Sequence, residues 1–424
     1  MDMRRMLLCS LVCTLPFSGC AIYAPPKSLS YEFRSREETQ TEGKVRVSAV
    51  VLSDKESKRS FAAPLAKNGI QPIWLEIVNQ EDEELLLFLL SIDRDYFSPA
   101  EAAWRSRILG EQGMNKKSRY FFDQHIPILI PPKTTASGFV FTNLDPGAKA
   151  FAVDLIGKRN SYNFDFVMLV PGFRADFMKT DPGDIYKPDE IRELDLDGLR
   201  AYVESLPPCV LGGDRKTPGD PLNLVVVGHG DHVLSTFVRR GWDLTETITG
   251  GAARRTAASS VFGSKYRTAP VSALYVFDRP QDAALQKARE NVDERNHLRL
   301  WRAPVNMDGT PVWVGQISRD IGVKLSSRTV VTHRIDPVVD EARLYVLMDL
   351  MASGYLGRVG FAKGVGYVSM DAPRYNYTRD PYFTDGLRVV LILTEDAVGY
   401  DEIEYLDWET PFSPLRGRGA SDVQ

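Results

Sequence analysis

From Val45 to Val170 the chain is written in short apolar runs broken by turn residues, and this pattern limits the fold more than any other feature. Val45, Val47 and Ala49 alternate with polar residues, and Ile73, Leu75 and Ile77 alternate around Glu76. A period of two places one set of side chains on a single face of a half-buried strand. Leu85–Leu90, after the acidic turn Asn79–Glu84, reads as a strand buried on both faces. Further strands are expected at His125–Ile130, Ser137–Thr142, Ala150–Ile156 and Phe164–Val170. One helix interrupts them: Ser98, Pro99 and Glu101 stand at N-cap, N1 and N3 of a capping box, opening a helix to Ile108. Seven or so short strands with Gly, Pro, Asn and Asp turns predict an all-β, immunoglobulin-like sandwich over residues 41–170. No Cys–Trp–Cys core signal accompanies them.

The second half alternates differently. The Pro- and Gly-rich residues 171–189 read as a linker, followed by an α+β (α/β sandwich) domain over 190–400. Helices are expected at Asp195–Ser205 and Asp231–Arg240, the latter ended by Gly241. Leu222–Val227 reads as a strand, and Gly250–Lys265 as a mobile loop. Three apolar runs, Val271–Phe277, His297–Trp301 and Val312–Ile317, are interspersed with two helical patterns, each opened by a proline. The second starts at Asp336-Pro337, with Asp as N-cap, and runs to about Ala352. Gly354–Gly366 holds five glycines and reads as a flexible connector, or less readily as a phosphate cradle; Arg388–Thr394 is a final strand, and 401–424 a polar tail.

The amino terminus speaks to location. Arg4 and Arg5 precede the apolar run Met6–Phe17, which at about a dozen residues is shorter than the ~20 that span a bilayer. Phe17-Ser18-Gly19-Cys20 has the form of a lipobox, so residues 1–19 are expected to be removed as a lipoprotein signal peptide and Cys20 to be acylated. Residues 20–40 then read as a tether. Ala21, rather than aspartate, after the cysteine favours the periplasmic face of a bacterial outer membrane over that of the inner membrane. The membrane is thus one expected partner, through acyl chains, and an envelope protein or lipid another. Beyond Cys9 and Cys13 in the leader and Cys20, only Cys209 is left, so no disulfide framework is available. A net charge of −4 argues against nucleic acid.

Candidate chemistry centres on six residues. Asp336, Asp340 and Arg343 share one helical face at i, i+4 and i+7. His333 precedes them, and His297 and Arg299 share a strand face. Histidine and carboxylate can exchange protons, and arginine can hold an anion. The plainer alternative is a cap and a surface ion pair. His229 and His232, in a Gly-His-Gly-Asp-His turn that opens a helix, are a weak metal or anion site. No cofactor is called for. Cys209 reads as a structural thiol rather than a nucleophile. Gly-x-Ser-x-Gly and His-Glu-x-x-His are absent.

The region from Leu206 to Thr394 resembles the LssY-type C-terminal domain, a bacterial family found alone or fused to membrane proteins. The resemblance rests on Pro270-Val-Ser272, Leu274-Tyr-x-Phe-x-Arg-Pro-x-Asp282, His297-Leu-Arg-Leu-Trp301, Ser318-Arg-Asp-Ile-Gly322 and His333-x-Ile-Asp-Pro-x-x-Asp340. It implies a domain and no particular reaction. Some relatives are fused to phosphatidic-acid-type phosphatases, but the motifs of those enzymes are not in this chain. The expectation is an envelope lipoprotein presenting this domain for binding or accessory work. The alternative is a hydrolase or transferase acting on a phosphate- or ester-bearing envelope substrate.

Overall fold

A computed structural model describes residues 23–108, 111–145, 148–170, 185–244, 273–288, 295–325 and 331–411. The expected leader, Cys20, and the Gly250–Lys265 loop lie outside these. The chain is predominantly β, in several sheets.

Residues 38–169 form eight strands: β1 (Glu38–Glu42), β2 (Val45–Val51), β3 (Ile70–Asn79), β4 (Leu85–Phe88), β5 (Leu129–Ile130), β6 (Thr134–Asn143), β7 (Ala148–Ile156) and β8 (Ser161–Leu169). They make two antiparallel sheets, ordered β1-β2-β3-β6 and β5-β4-β7-β8. Between the sheets lie Val45, Val47, Ala49, Ile73, Leu75 and Ile77 from one side and Leu87, Phe151, Val153, Leu155, Phe164 and Phe166 from the other. These are the inward members of the alternating runs.

This half is not all-β. The first sheet's outer face is covered by helices α1 (Asp54–Phe61), α3 (Pro99–Arg105) and α4 (Glu111–Asp123), which bury Trp74, Phe139 and Phe141 against Phe61, Ala102, Ala103 and Phe121. A short α2 (Leu89–Ile92) ends β4 early. Leu85–Leu90 is therefore not a strand buried on both faces: Leu86, Phe88 and Leu90 face outward. The capping box belongs to α1, where Ser53 and Glu56 cap each other. At α3 only Ser98 caps, accepting from Glu101 N, while the Glu101 carboxylate pairs with Arg105. The expected tether is docked from Tyr23 onward, since Tyr23 and Phe33 are buried in the helical layer.

The second half builds a ten-stranded mixed sheet whose main path is β13-β16-β17-β18-β12-β23-β20-β24. These are β12 (Leu224–Val227), β13 (Asp243–Leu244), β16 (Ala283–Ala288), β17 (Arg295–Met307), β18 (Thr310–Leu325), β20 (Leu356–Ala362), β23 (Arg388–Leu393) and β24 (Glu404–Tyr405). β9 (Arg192–Leu194) joins β17 and β19 (Val331–Ile335) joins β18. A small sheet of β10 (Cys209–Leu211), β11 (Pro218–Pro221), β14 (Tyr275–Val276) and β15 (Arg279–Pro280) lies apart, as does the pair β21 (Arg374–Tyr375) and β22 (Pro381–Tyr382).

Helix α5 (Leu196–Ser205) packs on one face of the large sheet through Leu199 and Val203. Helices α6 (Gly230–Arg239) and α7 (Val339–Met351) pack on the other through Val233, Phe237, Val346 and Leu350. The same α6 layer meets Ala150 and Val167 of the sandwich. The layers therefore run in one stack: outer helices, two sandwich sheets, α6 with α7, the large sheet, and α5. Three expectations change here. The helical pattern after Pro280 is strand β16, because pairing with β17 overrides the helix propensity of its Ala, Leu, Gln and Lys residues. The glycine-rich Gly354–Gly366 contains β20, so it is a built strand and not a loop. In its described part, to Pro411, the expected tail is built into the fold, with β24 beside β20 and Trp408 against Gly360. Among the described residues no helix is long and apolar enough to cross a membrane.

Candidate functional site

The hairpin β17–β18 builds the site. Its turn, Asp308-Gly309, has positive φ at both residues (48° and 80°), which a two-residue turn of type I′ requires and Asp-Gly supplies readily. The turn pairs Met307 with Thr310, and past a bulge between Arg302 and Asn306 the shifted register places His297 opposite Ser318 and Arg299 opposite Gln316. Leu298 and Leu300 point into the α6 and α7 side. Arg295, His297 and Arg299 therefore share the opposite face, with Gln286 of β16 and Gln316, Ser318 and Asp320 of β18. Onto this face fold Asp220 of β11 and the turn Asn376–Asp380.

All these charged side chains are at most 9% exposed. His297 Nε2 lies 2.5 Å from Asp320 Oδ2, and Arg295 Nε is 3.7 Å from the same oxygen. Arg295 donates to Gln286 Oε1 (2.8 Å), and Arg299 to Gln316 Oε1 (2.8 Å). Asp220 accepts from Asn376 Nδ2 at 2.7 Å and from Gln316 Nε2 at 3.4 Å. Asn376 Oδ1 in turn accepts from Asp380 N at 2.8 Å. His297 thus lies with Asp320, Arg295 and Arg299, and Asp220 and Asp380 continue the cluster on the Arg299 side.

Burial dominates the electrostatics. It drives the His297 imidazole down to about 4, with Asp320 pulling the other way, so the ring is neutral at pH 7. Burial also lowers Arg299 to about 10, opposed by Asp220 and Asp320. The Asp220 carboxyl is raised by burial, against the hydrogen bond from Asn376 and the charge of Arg299. A neutral imidazole held by a carboxylate is the arrangement of an oriented general base, although proton transfer at neutral pH works best with a value near 7.

The six expected site residues do not form one group. His297 and Arg299 belong to the cluster above. Asp340 and Arg343 sit on α7, which covers the other face of the sheet. There Arg343, fully buried, pairs with Asp385 through two bonds (2.8 and 2.7 Å) and donates to Leu387 O. Asp340 accepts from Thr384 Oγ1 and Asp385 N, both at 2.7 Å. This clamp fixes α7 to the approach to β23. Asp340 and Arg343 are therefore not an ion pair on a solvated face. Burial raises the Asp340 carboxyl, and Arg343 opposes that rise. Asp336 is half-buried and accepts from Val338 N at 3.0 Å, with α7 beginning at Val339; it caps a turn before the helix rather than the helix itself. His333 lies on β19 opposite Val323, and its side chain is outside the described residues.

Reading the sequence alone misses Asp220, Arg295, Asp320, Asn376 and Asp380. The Asp308-Gly309 turn was the available signal for Asp320, because the hairpin register carries it toward His297. Asp220 and Asn376 arrive from distant chain segments and leave no local signal.

His232 is not poised as a metal ligand. Nδ1 meets Asp165 Oδ2 (2.6 Å) and Nε2 meets Thr394 O (3.0 Å), so both ring nitrogens are engaged. His229 is exposed at the N-cap of α6. Arg239 adds bonds to Asp154 (2.9 Å) and Asp165 (3.3 Å), which makes α6 the bolt between sandwich and large sheet. Among the described residues, no three His, Cys, Asp or Glu side chains are grouped to hold a metal ion. Cys209 is half-buried and burial raises its thiol, which disfavours the nucleophilic thiolate.

A family model described as LssY C-terminus matches residues 201–387. This region is an LssY C-terminal domain. The match begins within α5 and ends one residue before β23, so it contains the whole buried cluster, α6 and α7. The sandwich lies outside it. No curated protein matches the chain. One further buried group completes the LssY domain's frame. Arg388 donates to the carbonyls of Leu222 (2.7 Å), Val203 (2.5 Å) and Leu206 (3.0 Å), the last two at the C-terminal end of α5. Gly364, with φ +129°, makes room for it, since a Cβ there would fall 1.9 Å from Arg388 Nη1.

Proposed function

We propose that this protein is a bacterial envelope lipoprotein in which an immunoglobulin-like sandwich mounts the LssY domain for binding or accessory work in the periplasm. One observation carries the location: the apolar Met6–Phe17 followed by Phe17-Ser18-Gly19-Cys20. The mount is supported by the buried bonds of Arg239 and His232 to Asp154 and Asp165, which oppose independent motion of the two halves. The immunoglobulin-like reading draws on strand order. With β1 set aside as an added edge, β2-β3-β6 facing β5-β4-β7-β8 is a Greek-key sandwich. Acylation on the periplasmic face of the outer membrane follows from Cys20 and Ala21, with the inner membrane as the other destination.

The test is fractionation. Cells fed an alkyne analogue of palmitate label the wild-type chain, which sediments with membranes. Cys20→Ala abolishes both label and sedimentation. A wild-type chain that stays soluble and unlabelled contradicts the proposal.

A second reading, hydrolysis or group transfer on an anionic envelope substrate, draws on the His297–Asp320 contact beside Arg299. It predicts turnover of a phosphoester or ester by the purified chain, lost in His297→Ala. No turnover across both substrate classes removes it.

A further inference from the structure

Tyr23 is docked. It is 5% exposed, its hydroxyl donates to Phe61 O at 2.7 Å, and its ring lies 6.2 Å from that of Tyr120 and 5.7 Å from Lys117 Nζ. It thus sits between α1 and α4 on the outermost layer of the stack. Cys20 is only three residues upstream. Three extended residues reach roughly 11 Å at most. An acyl anchor on Cys20, the reading on which this inference rests, therefore cannot hold the body at a distance.

We propose that the outer face of α3 and α4 rests on the bilayer that takes the Cys20 acyl chains, so that the sandwich stands on the membrane and the LssY domain is outermost. The chemistry of that face suits a lipid–water interface. Phe122 is 70% exposed and Trp104 58%. Gln112, Lys116, Arg119 and Phe122 follow one another along the exposed side of α4 at i, i+4, i+7 and i+10. Arg105 and Arg107 are exposed beside Trp104. On the surface of residues 98–124 four exposed basic side chains, Arg105, Arg107, Lys116 and Arg119, stand with three exposed acidic ones, Glu101, Glu111 and Asp123, in a chain whose net charge is −4. Exposed aromatics among basic residues are the composition of helices that lie in an interface, where the rings enter the headgroup layer and the cations meet phosphate.

The stack then fixes the geometry. From the α3–α4 layer to the large sheet there are four layer intervals of about 10 Å each, so that sheet stands about 40 Å from the helices on the membrane. Helix α5 and the Asp220–Arg299–Asp320 cluster lie on the sheet's far side. A ligand or partner of the LssY domain is met in the space away from the anchoring leaflet.

The experiment uses the full-length acylated chain, with Cys209→Ser, in vesicles of phosphatidylcholine and phosphatidylglycerol containing a headgroup nitroxide lipid. A fluorophore is placed at Arg119→Cys on α4 or at Asp197→Cys on α5. Intact mass is read on the same samples. Strong quenching at 119 and none at 197 is expected, and Trp104→Ser with Phe122→Ser, both exposed positions, lowers the quenching at 119. Equal quenching at the two positions, quenching at 197 alone, or no effect of the double substitution overturns this orientation while leaving the acylated protein a lipoprotein. A chain without acyl mass on Cys20 overturns the lipoprotein reading as well, so the two failures are told apart.

Discussion

The two halves of this molecule solve the problem of a large core in opposite ways. Among the described residues, the sandwich half buries two charged side chains, Lys117 and Lys149. The LssY half buries six aspartates, five arginines and two histidines. Burying charge is costly unless each group is paired, and an apolar replacement of similar volume is often as stable. The sandwich follows that economy and reads as a support. The LssY domain departs from it, and the departure is concentrated around His297 and around Arg343.

Substitutions separate the two halves. The largest effect is expected at Arg343→Leu, which strands Asp340 and Asp385 in the core and costs about 3–5 kcal/mol in chemical denaturation. Arg36→Ala, which removes the half-exposed pair with Glu56 on the sandwich surface, costs about 1 kcal/mol or less. Equal losses at the two positions would erase the distinction.

Acid gives the next effect. His297 is held at about 4 when folded, below its ordinary 6.5, so the unfolded chain takes up the proton first. The stability that depends on a neutral His297 is present above pH 6.5 and is lost as the pH falls through 4, up to roughly 3 kcal/mol. Urea unfolding at several pH values measures it, and His297→Gln flattens the profile over that window. A profile unchanged by the substitution would show that the burial of His297 carries no such penalty.

The smallest effect is expected in the sandwich. Burial lowers Lys117 to about 8, and its ammonium meets Ser106 Oγ (2.7 Å) and the Tyr23 and Phe121 rings. Lys117→Met replaces a costly charge with apolar volume and changes stability by about 1 kcal/mol or less, in either direction. A large loss would place a buried charge essential to folding in the half described as a support.

How legible this was in the sequence depended on whether local pattern or distant pairing decided each element. Most strands from Val45 to Leu169 were readable from their apolar runs, but Leu85–Leu90 was read as buried on both faces and the strand expected at His125–Ile130 is only Leu129–Ile130, because neither run is long enough for its pattern to fix a strand. Helix α4 was not, because Lys117 falls on its buried stripe with Met114 and Phe121 and breaks the apolar pattern. Helix α1 announced itself only through Ser53 and Glu56, a signal that the eye gave to Ser98 and Glu101. β16 was misread because its residues favour helix in isolation, and only β17 makes them a strand. At the site, strand alternation exposed His297 and Arg299 as neighbours. Their partners came from another hairpin arm, from β11 and from the turn after β21, which no local pattern links. Asp340 and Arg343 were correctly placed on one helical face, yet that face turns toward Asp385 and not toward His297.

The account rests on the amino terminus of the mature protein, and its mass is the most direct measurement. The account predicts a chain that begins at Cys20 and carries fatty acyl mass on that residue. A mature chain that begins elsewhere, or at an unmodified Cys20, contradicts it.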